Sequence, residues 1–444
     1  MGVEKDIIVA VELGSTSIRA IAGTKQLDGN MQVTAFAEER SVNAIRKGTI
    51  DNIDKTTQAI SNVVRKVGDQ LGVAIARVYV GLGGQSMHAE RNVISKTFPE
   101  KTKITNVVVD EMWDINSNSE YANSNILEVI PQEFRIGRRI VSEPVGMQSD
   151  QLEIDFLNVV ARRDLKENIE TCVRNAGLEL VEVLNAPLCL AECQLSSSER
   201  HSGCALVNIG GDTTTVSVYK NDILRHLTVI PLGASHVTAD IESLNIEAEE
   251  AESLKRRFGA AYAEDADTAG QPISISYNRR VLDTDIRNYS AARYEEIIMN
   301  IGEQLKGRDD LISGIVLTGG GAQITNIEEA FRQYIKWRGN IAIRKGLPTN
   351  VELAPNTTLP EVCLLHTLIA LLQKGDQNCA SPMEETIIEP EPEEEISAPT
   401  EEEGQDATNE TPEPEAEVEK PKKPKGPGIG SRLKKFLNEI LTED

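Results

Sequence analysis

Three glycine-rich turns, each leaving an apolar run of β type, constrain this chain more than any other feature. The first is Gly14-Ser15-Thr16-Ser17, between residues 8–13 and 18–20. The second is Gly210-Gly211-Asp212-Thr213-Thr214, between residues 205–209 and 215–219. Both read as hairpins, because strand-like runs flank a tight cluster of turn residues. The third, Gly319-Gly320-Gly321, ends a strand at 314–318 and leads into a helix. Glycine lacks a Cβ, so these turns can adopt φ > 0 and bring backbone N–H groups close to an anion. Thr213 and Thr214 add hydroxyl donors beside those amides. A single glycine turn ordinarily does no more than reverse the chain; three in this order and at these distances point beyond that.

A chain of 444 residues has room for two or three domains. Its formal charge of −24 is unevenly placed. Residues 376–419 hold seventeen Asp or Glu and no Lys or Arg, residues 420–435 hold seven Lys or Arg and no acid, and residues 436–444 hold three acids, which leaves −11 on residues 1–375. So acidic a body is a poor surface for nucleic acid, whose phosphates need clustered cations. The six cysteines (Cys172, Cys189, Cys193, Cys204, Cys363 and Cys379) lack matching metal-site pairs and read as reduced thiols of a cytosolic protein. No apolar run approaches the ~18 residues that span a bilayer, and the residues before the first strand do not read as a signal peptide.

Along the chain, Arg46-Lys47-Gly48-Thr49-Ile50-Asp51-Asn52 turns into a helix whose apolar face is Ile53, Ala59, Ile60, Val63, Val64 and Val67. Residues 1–83, with 163–204, form the first half of the expected core. Residues 84–162 read as a separate small α+β unit, with strands near 91–98, 126–136 and 154–161 and a helix from Thr105 past Met112. Residues 205–375 supply a second half, closed by helices at 326–337 and 360–373, with a small subdomain at about 245–310 that carries a long helix at 281–306. Residues 376–428 have too few apolar groups to offset ordering entropy and read as a disordered acidic linker. Residues 429–444 read as an amphipathic helix. Its stripe is Leu433, Phe436, Leu437, Ile440 and Leu441, flanked by Arg432, Lys434 and Lys435, as suits an anionic membrane surface.

The two hairpins and the third turn, in this order, resemble the nucleotide cleft of the actin, sugar-kinase and Hsp70 superfamily. Within it, Leu127-Glu128-Val129-Ile130-Pro131-Gln132-Glu133-Phe134 and Glu143-Pro144-Val145-Gly146-Met147 resemble the inserted subdomain of the cell-division protein FtsA family. The resemblance covers residues 5–375 and the terminal helix. It implies an α/β, actin-like two-domain fold, with ATP and Mg²⁺ in a cleft made by Gly14, Ser15, Thr16, Ser17, Gly210, Gly211, Asp212, Thr213, Thr214, Gly319, Gly320 and Gly321. Glu252 and Lys255 match the family's Glu-x-x-Lys beside adenine and ribose. It also implies self-assembly into filaments and recruitment of later division proteins. The C-terminal tail of the tubulin-like protein FtsZ would be gripped near Arg293, which lies in an Arg-Tyr segment similar to the family's.

Two departures bear on chemistry. Family members carry Asp where this chain has Glu12 and Asn208, so both carboxylates expected to hold Mg²⁺ through water are altered. Asp212 stands at a position that is usually glycine; its carboxylate either interferes with a phosphate or replaces the missing charge. Binding needs mainly the N–H cradle, whereas hydrolysis needs an oriented, polarised water. The expectation is therefore an ATP-binding membrane adaptor with weak or no hydrolysis. A soluble phosphotransferase or ATPase of the same fold is the alternative from another class; it would need a catalytic carboxylate in the cleft. A pilus-assembly scaffold related to FtsA is the closer rival, and its family lacks the terminal helix.

Overall fold

The structure, a computed structural model, describes residues 6–26, 29–263, 270–308, 311–335, 341–347, 351–355 and 357–381. Strands β1 (Ile8–Leu13), β2 (Ser17–Lys25) and β3 (Met31–Arg40) form an antiparallel meander with a buried apolar face. Two short strands, β4 (Ile45–Arg46) and β5 (Thr49–Ile50), pair around Lys47 and Gly48, whose φ values are 51° and 70°. Helix α1 (Ile53–Leu71) then packs on β2 and β3. Asn52 caps it by accepting the Lys55 N–H at 2.9 Å, and Gly72 ends it in the left-handed region, φ 70°. Its buried stripe holds Ala59, Ile60, Val63, Val64 and Val67, as the periodicity predicts. Strand β6 (Arg77–Leu82) runs parallel to β1.

The insertion follows: β7 (His88–Lys103), α2 (Asn106–Ser117), β8 (Ser124–Ile136), β9 (Arg139–Val141) and β10 (Gln148–Arg162). It has its own small core, with Met112, Phe134, Ile154 and Phe156 buried and Trp113 edge-on to Phe156. Helix α3 (Arg163–Asn175), β11 (Glu179–Asn185), α4 (Ala186–Gln194) and α5 (Ser197–Ser202) return the chain to the first half. A capping box between Ser196 and Glu199 starts α5.

The second half opens with β12 (Cys204–Ile209), β13 (Thr214–Lys220) and β14 (Ile223–Ile230), then α6 (Ala234–Glu242) and α7 (Ala248–Phe258). A small hairpin of β15 (Pro272–Ile275) and β16 (Arg279–Leu282) precedes α8 (Asp283–Leu305). Strand β17 (Gly314–Thr318), α9 (Ile327–Tyr334), β18 (Ile343–Lys345), β19 (Val351–Leu353) and α10 (His366–Lys374) end the described body. Two large sheets result, ordered β11-β6-β1-β2-β3-β19 and β18-β17-β12-β13-β14-β7-β10-β8-β9.

The insertion keeps a core of its own, as expected, and its strands also continue the second sheet, because His88 of β7 pairs with Thr228 of β14. Three expectations need correction. Helix α10 does not close the second half. Its Leu368, Ile369, Leu371 and Leu372 are buried in the first core, against β1, β2 and β6, and β19 joins β3. The long helix expected at 281–306 begins at Asp283, because Arg279–Leu282 form β16 of the β15–β16 hairpin. The acidic linker does not begin at 376: Cys379 is fully buried, its N–H donates to Ile7 O at 2.7 Å, and its carbonyl accepts from Ala76 and Arg77. Burial of an apolar thiol and these ladder-like bonds hold residues 376–381 on the first sheet. The rest of the linker and the terminal helix, with Arg432, Leu433, Lys434, Lys435, Phe436, Leu437, Ile440 and Leu441, lie outside the described residues.

Candidate nucleotide cleft

The three glycine turns converge at one edge of the two sheets. The first hairpin closes with Gly14 N–H donating to Ser17 O (3.1 Å), the second with Gly210 N–H donating to Thr213 O (2.8 Å). Their tips touch: a Cβ on Gly211 would lie 2.6 Å from the Thr16 methyl carbon. The third turn packs on the stem of the second hairpin. Gly319 has φ 87°, and a Cβ there would meet Asn208 Oδ1 at 2.3 Å; one on Gly321 would meet the Ile209 side chain at 2.4 Å. Neither contact leaves room for a side chain, so both glycines are required by packing. Tyr294 on α8 fixes the turn from behind, donating its hydroxyl to Gly321 O at 2.7 Å.

Among the described residues, the backbone N–H groups of Ser15, Thr16, Gly211 and Asp212 donate to no protein acceptor. Four such donors on two facing tips suit an anion with several oxygens. Side chains contribute less than expected. Thr214 is buried and donates its hydroxyl to Leu232 O at 2.8 Å, which removes it from the cleft, whereas Thr213 stays half-buried at the tip. Ser15 Oγ accepts from Gly48 N–H at 3.1 Å, and Ser17 is buried beneath the turn. Asp212 turns toward the other half, where its carboxylate accepts the Lys47 N–H at 3.0 Å. Neither reading of Asp212 anticipates this cross-cleft hydrogen bond, which sets its carboxylate beside the tip amides. Arg40 and Glu249 form a second bridge between the halves.

Glu252 and Lys255 face each other on α7, but their polar atoms are engaged. Lys255 is buried and donates to Ala234 O (3.1 Å) and Thr238 Oγ1 (2.9 Å), with Glu252 Oε2 at 2.5 Å. Burial pulls this amine below the usual lysine range, and Glu252 opposes the shift. Arg293 is likewise held: its Nε and Nη2 bind both Asp240 oxygens (2.7 and 2.8 Å), and its Nη1 pairs with Glu296. A groove of about 1530 Å³ lies elsewhere, between β8, α4 and α5, and none of the residues of the three glycine turns lines it.

Arg19, on the strand after the first turn, was not anticipated. Its cross-strand partners are Glu12 on β1 and Glu38 on β3. It contacts Glu12 Oε2 at 3.7 Å, donates to Glu38 Oε1 at 2.9 Å and donates to Leu364 O at 2.9 Å. Burial raises the Glu12 pKa, with Arg19 opposing the rise. The signal was present in the sequence, because counting outward from a turn closed by Gly14 and Ser17 pairs residue 12 with residue 19. Thr318, bonded to His366 at 2.7 Å, and Arg344, bonded to both Glu199 oxygens at 2.7 and 2.8 Å, join the halves behind the third turn.

Comparison with known proteins gives this cleft a family. The model for cell division protein FtsA matches residues 205–361, and that for the SHS2 domain inserted in FtsA matches residues 84–160. Cell division protein FtsA of Porphyromonas gingivalis is 30% identical over 339 residues, covering 74% of this chain and 71% of that protein. The chain belongs to the FtsA family. FtsA of Bacillus subtilis is 29% identical over 332 residues, covering 72% and 75%. A chain of the PilM-PilN type IV pilus biogenesis complex superposes with a TM-score of 0.57 at 14% identity, over 82% of this chain and 97% of that one. That likeness is one of fold, and the fold is the actin-like one with an FtsA-type insert. The general role is cell division. Among the described residues, no helix is long and apolar enough to cross a membrane.

The cleft residues fit a nucleotide phosphate and a divalent cation unequally. The four unpaired amides suit phosphate oxygens. The donors expected for Mg²⁺ do not suit the metal. Glu12 Oε2 is enclosed, so water does not reach it, and the guanidinium of Arg19, 3.7 Å away, offsets part of its charge. Asn208 offers a neutral amide oxygen pressed against Gly319. Mg²⁺ is ordinarily held by one or two charged carboxylates together with phosphates and water. Among the described residues, no group of three or more His, Cys, Asp and Glu side chains could hold a metal ion.

Proposed function

We propose that this FtsA-family protein binds ATP between its two halves, polymerises on the inner face of the cytoplasmic membrane and tethers FtsZ filaments to it. The observation that carries the nucleotide reading is the pair of facing hairpin tips with four unpaired amides. ATP there would bridge the halves and select the closed, assembly-competent shape. Turnover is slow or absent, since a water needs a free carboxylate to orient and polarise it, and Glu12 and Asn208 supply none. Membership of the FtsA family supports the division-site role and the recruitment of later division proteins.

The membrane contact is assigned to Leu433, Phe436, Leu437, Ile440 and Leu441, with Arg432, Lys434 and Lys435 facing anionic headgroups. Burying the stripe yields several kcal/mol at ~25 cal/mol per Å², much of it offset by folding the helix. Attachment is therefore firm only when many tails act together along a filament.

The test is pelleting of the full chain with anionic liposomes, with and without ATP, beside Phe436→Glu. Wild type should pellet, more so with ATP. Phe436→Glu should stay in solution and still bind ATP. Equal pelleting of the two proteins rejects the membrane assignment, and absence of ATP binding rejects the nucleotide reading.

A further inference from the structure

We infer that this cleft takes a nucleoside triphosphate without a protein-held divalent cation, because Arg19 is the fixed cation shared by Glu12 and Glu38. The inference rests on the nucleotide reading above and adds to it the metal dependence of binding. Its basis is the register of the first sheet, which sets Glu12, Arg19 and Glu38 side by side across β1, β2 and β3. The guanidinium lies 3.7 Å from Glu12 and 2.9 Å from Glu38, and a third contact, to Leu364 O, holds it in place. Its side chain is only 17% exposed, so it cannot swing away as a surface arginine would.

The consequence is electrostatic. Arg19 shares one positive charge between two carboxylates, so Glu12 is offset only in part, and a divalent ion approaching it would meet the guanidinium 3.7 Å from Oε2. At the other place where the family has a carboxylate, Asn208 carries no charge. The phosphates are then held by backbone N–H groups, donors that can bind phosphate oxygens whether or not Mg²⁺ is also present. Arginine cannot lose its proton in the accessible pH range, so the arrangement is permanent.

Equilibrium binding of ATP to the full chain, measured by calorimetry in Mg²⁺ and again in EDTA, tests this. Wild type should show dissociation constants within about threefold of each other. Arg19→Met leaves Glu12 and Glu38 without their cation. It should bind ATP at least tenfold more weakly in EDTA, with Mg²⁺ restoring much of the loss. Arg19→Lys keeps the charge and should remain insensitive to EDTA. A tenfold or greater loss by wild type in EDTA overturns the inference, and that arm stands even if Arg19→Met fails to fold. Arg19→Met behaving as wild type in both buffers overturns it too. No ATP binding by wild type in either buffer defeats the nucleotide reading itself, which separates the two failures.

Discussion

Asp212, at the tip of the second hairpin, accepts a 3.0 Å hydrogen bond from the backbone N–H of Lys47 on the opposite side of the cleft. A carboxylate here both latches the halves and sets a negative charge beside the amides that phosphate would use. Asp212→Asn keeps an acceptor for Lys47 but removes the charge, and Asp212→Gly removes both. Each should tighten ATP binding by roughly threefold to tenfold, about 1 kcal/mol of relieved repulsion at a partly exposed site. Weaker binding by both variants in a titration would mean that the carboxylate supports the ligand instead.

Asn208 sits against Gly319 and carries no charge of its own. Asn208→Asp places a carboxylate there that Arg19 does not neutralise, and should raise Mg²⁺-dependent phosphate release more than it changes ATP affinity. Adding Glu12→Asp should raise it further. Phosphate release by wild type as fast as by the double variant contradicts this account.

Gly319→Ala combines a left-handed φ of 87° with a Cβ 2.3 Å from Asn208 Oδ1 and 2.5 Å from Ile209 O. Strain and displacement together should cost about 2 kcal/mol or more, read from the midpoint of urea unfolding. Gly137→Ala is the control, since its φ is 59° but nothing lies within 4 Å of the added carbon. It should cost about 1 kcal/mol.

The Glu199–Arg344 pair predicts an acid-sensitive joint. Hydrogen bonds from Arg344 bring the Glu199 pKa down from 4.5 to about 2, although burial opposes the shift. A depressed carboxylate pKa stabilises the fold fully above 4.5, and that share is lost as pH falls toward 2. After discounting for solvent screening it amounts to roughly 1 to 2 kcal/mol. Glu199→Gln should flatten the fall in stability between pH 5 and 3; an unchanged pH profile removes the pair from the account.

Arg293 is already neutralised by Asp240 and Glu296. Arg293→Glu should weaken binding of an FtsZ C-terminal tail peptide at least tenfold, about 1.4 kcal/mol. Asp240→Asn frees part of the guanidinium and should tighten it. If neither change moves the affinity, Arg293 has no part in a tail site.

Local order carried the sequence reading a long way. The hairpins, α1 and the insertion's strands are set by short-range alternation, helical periodicity and turn residues, which a single sequence displays. What escaped depends on distant partners. Nothing near α10 reveals that Leu368 and Leu372 pack beside β1, about 360 residues earlier in the chain. Thr214 looked like a tip donor, and its hydroxyl points instead to Leu232 O. Arg19 was legible in principle from the hairpin register, but its role needed Glu38 from a third strand.

The placement of Cys379 has a mechanical consequence. The strap at 376–381 crosses the sheet edge where β1 and β6 begin, bonded to Ile7, Ala74, Ala76 and Arg77. The hairpin tip lies where β1 ends, a six-residue strand away, roughly 20 Å. Traction on the chain beyond Ser381 is therefore borne by the hydrogen bonds of this strap and enters the first half at its far rim. Load carried by the tail pulls on the root of one sheet and does not pry the two halves apart.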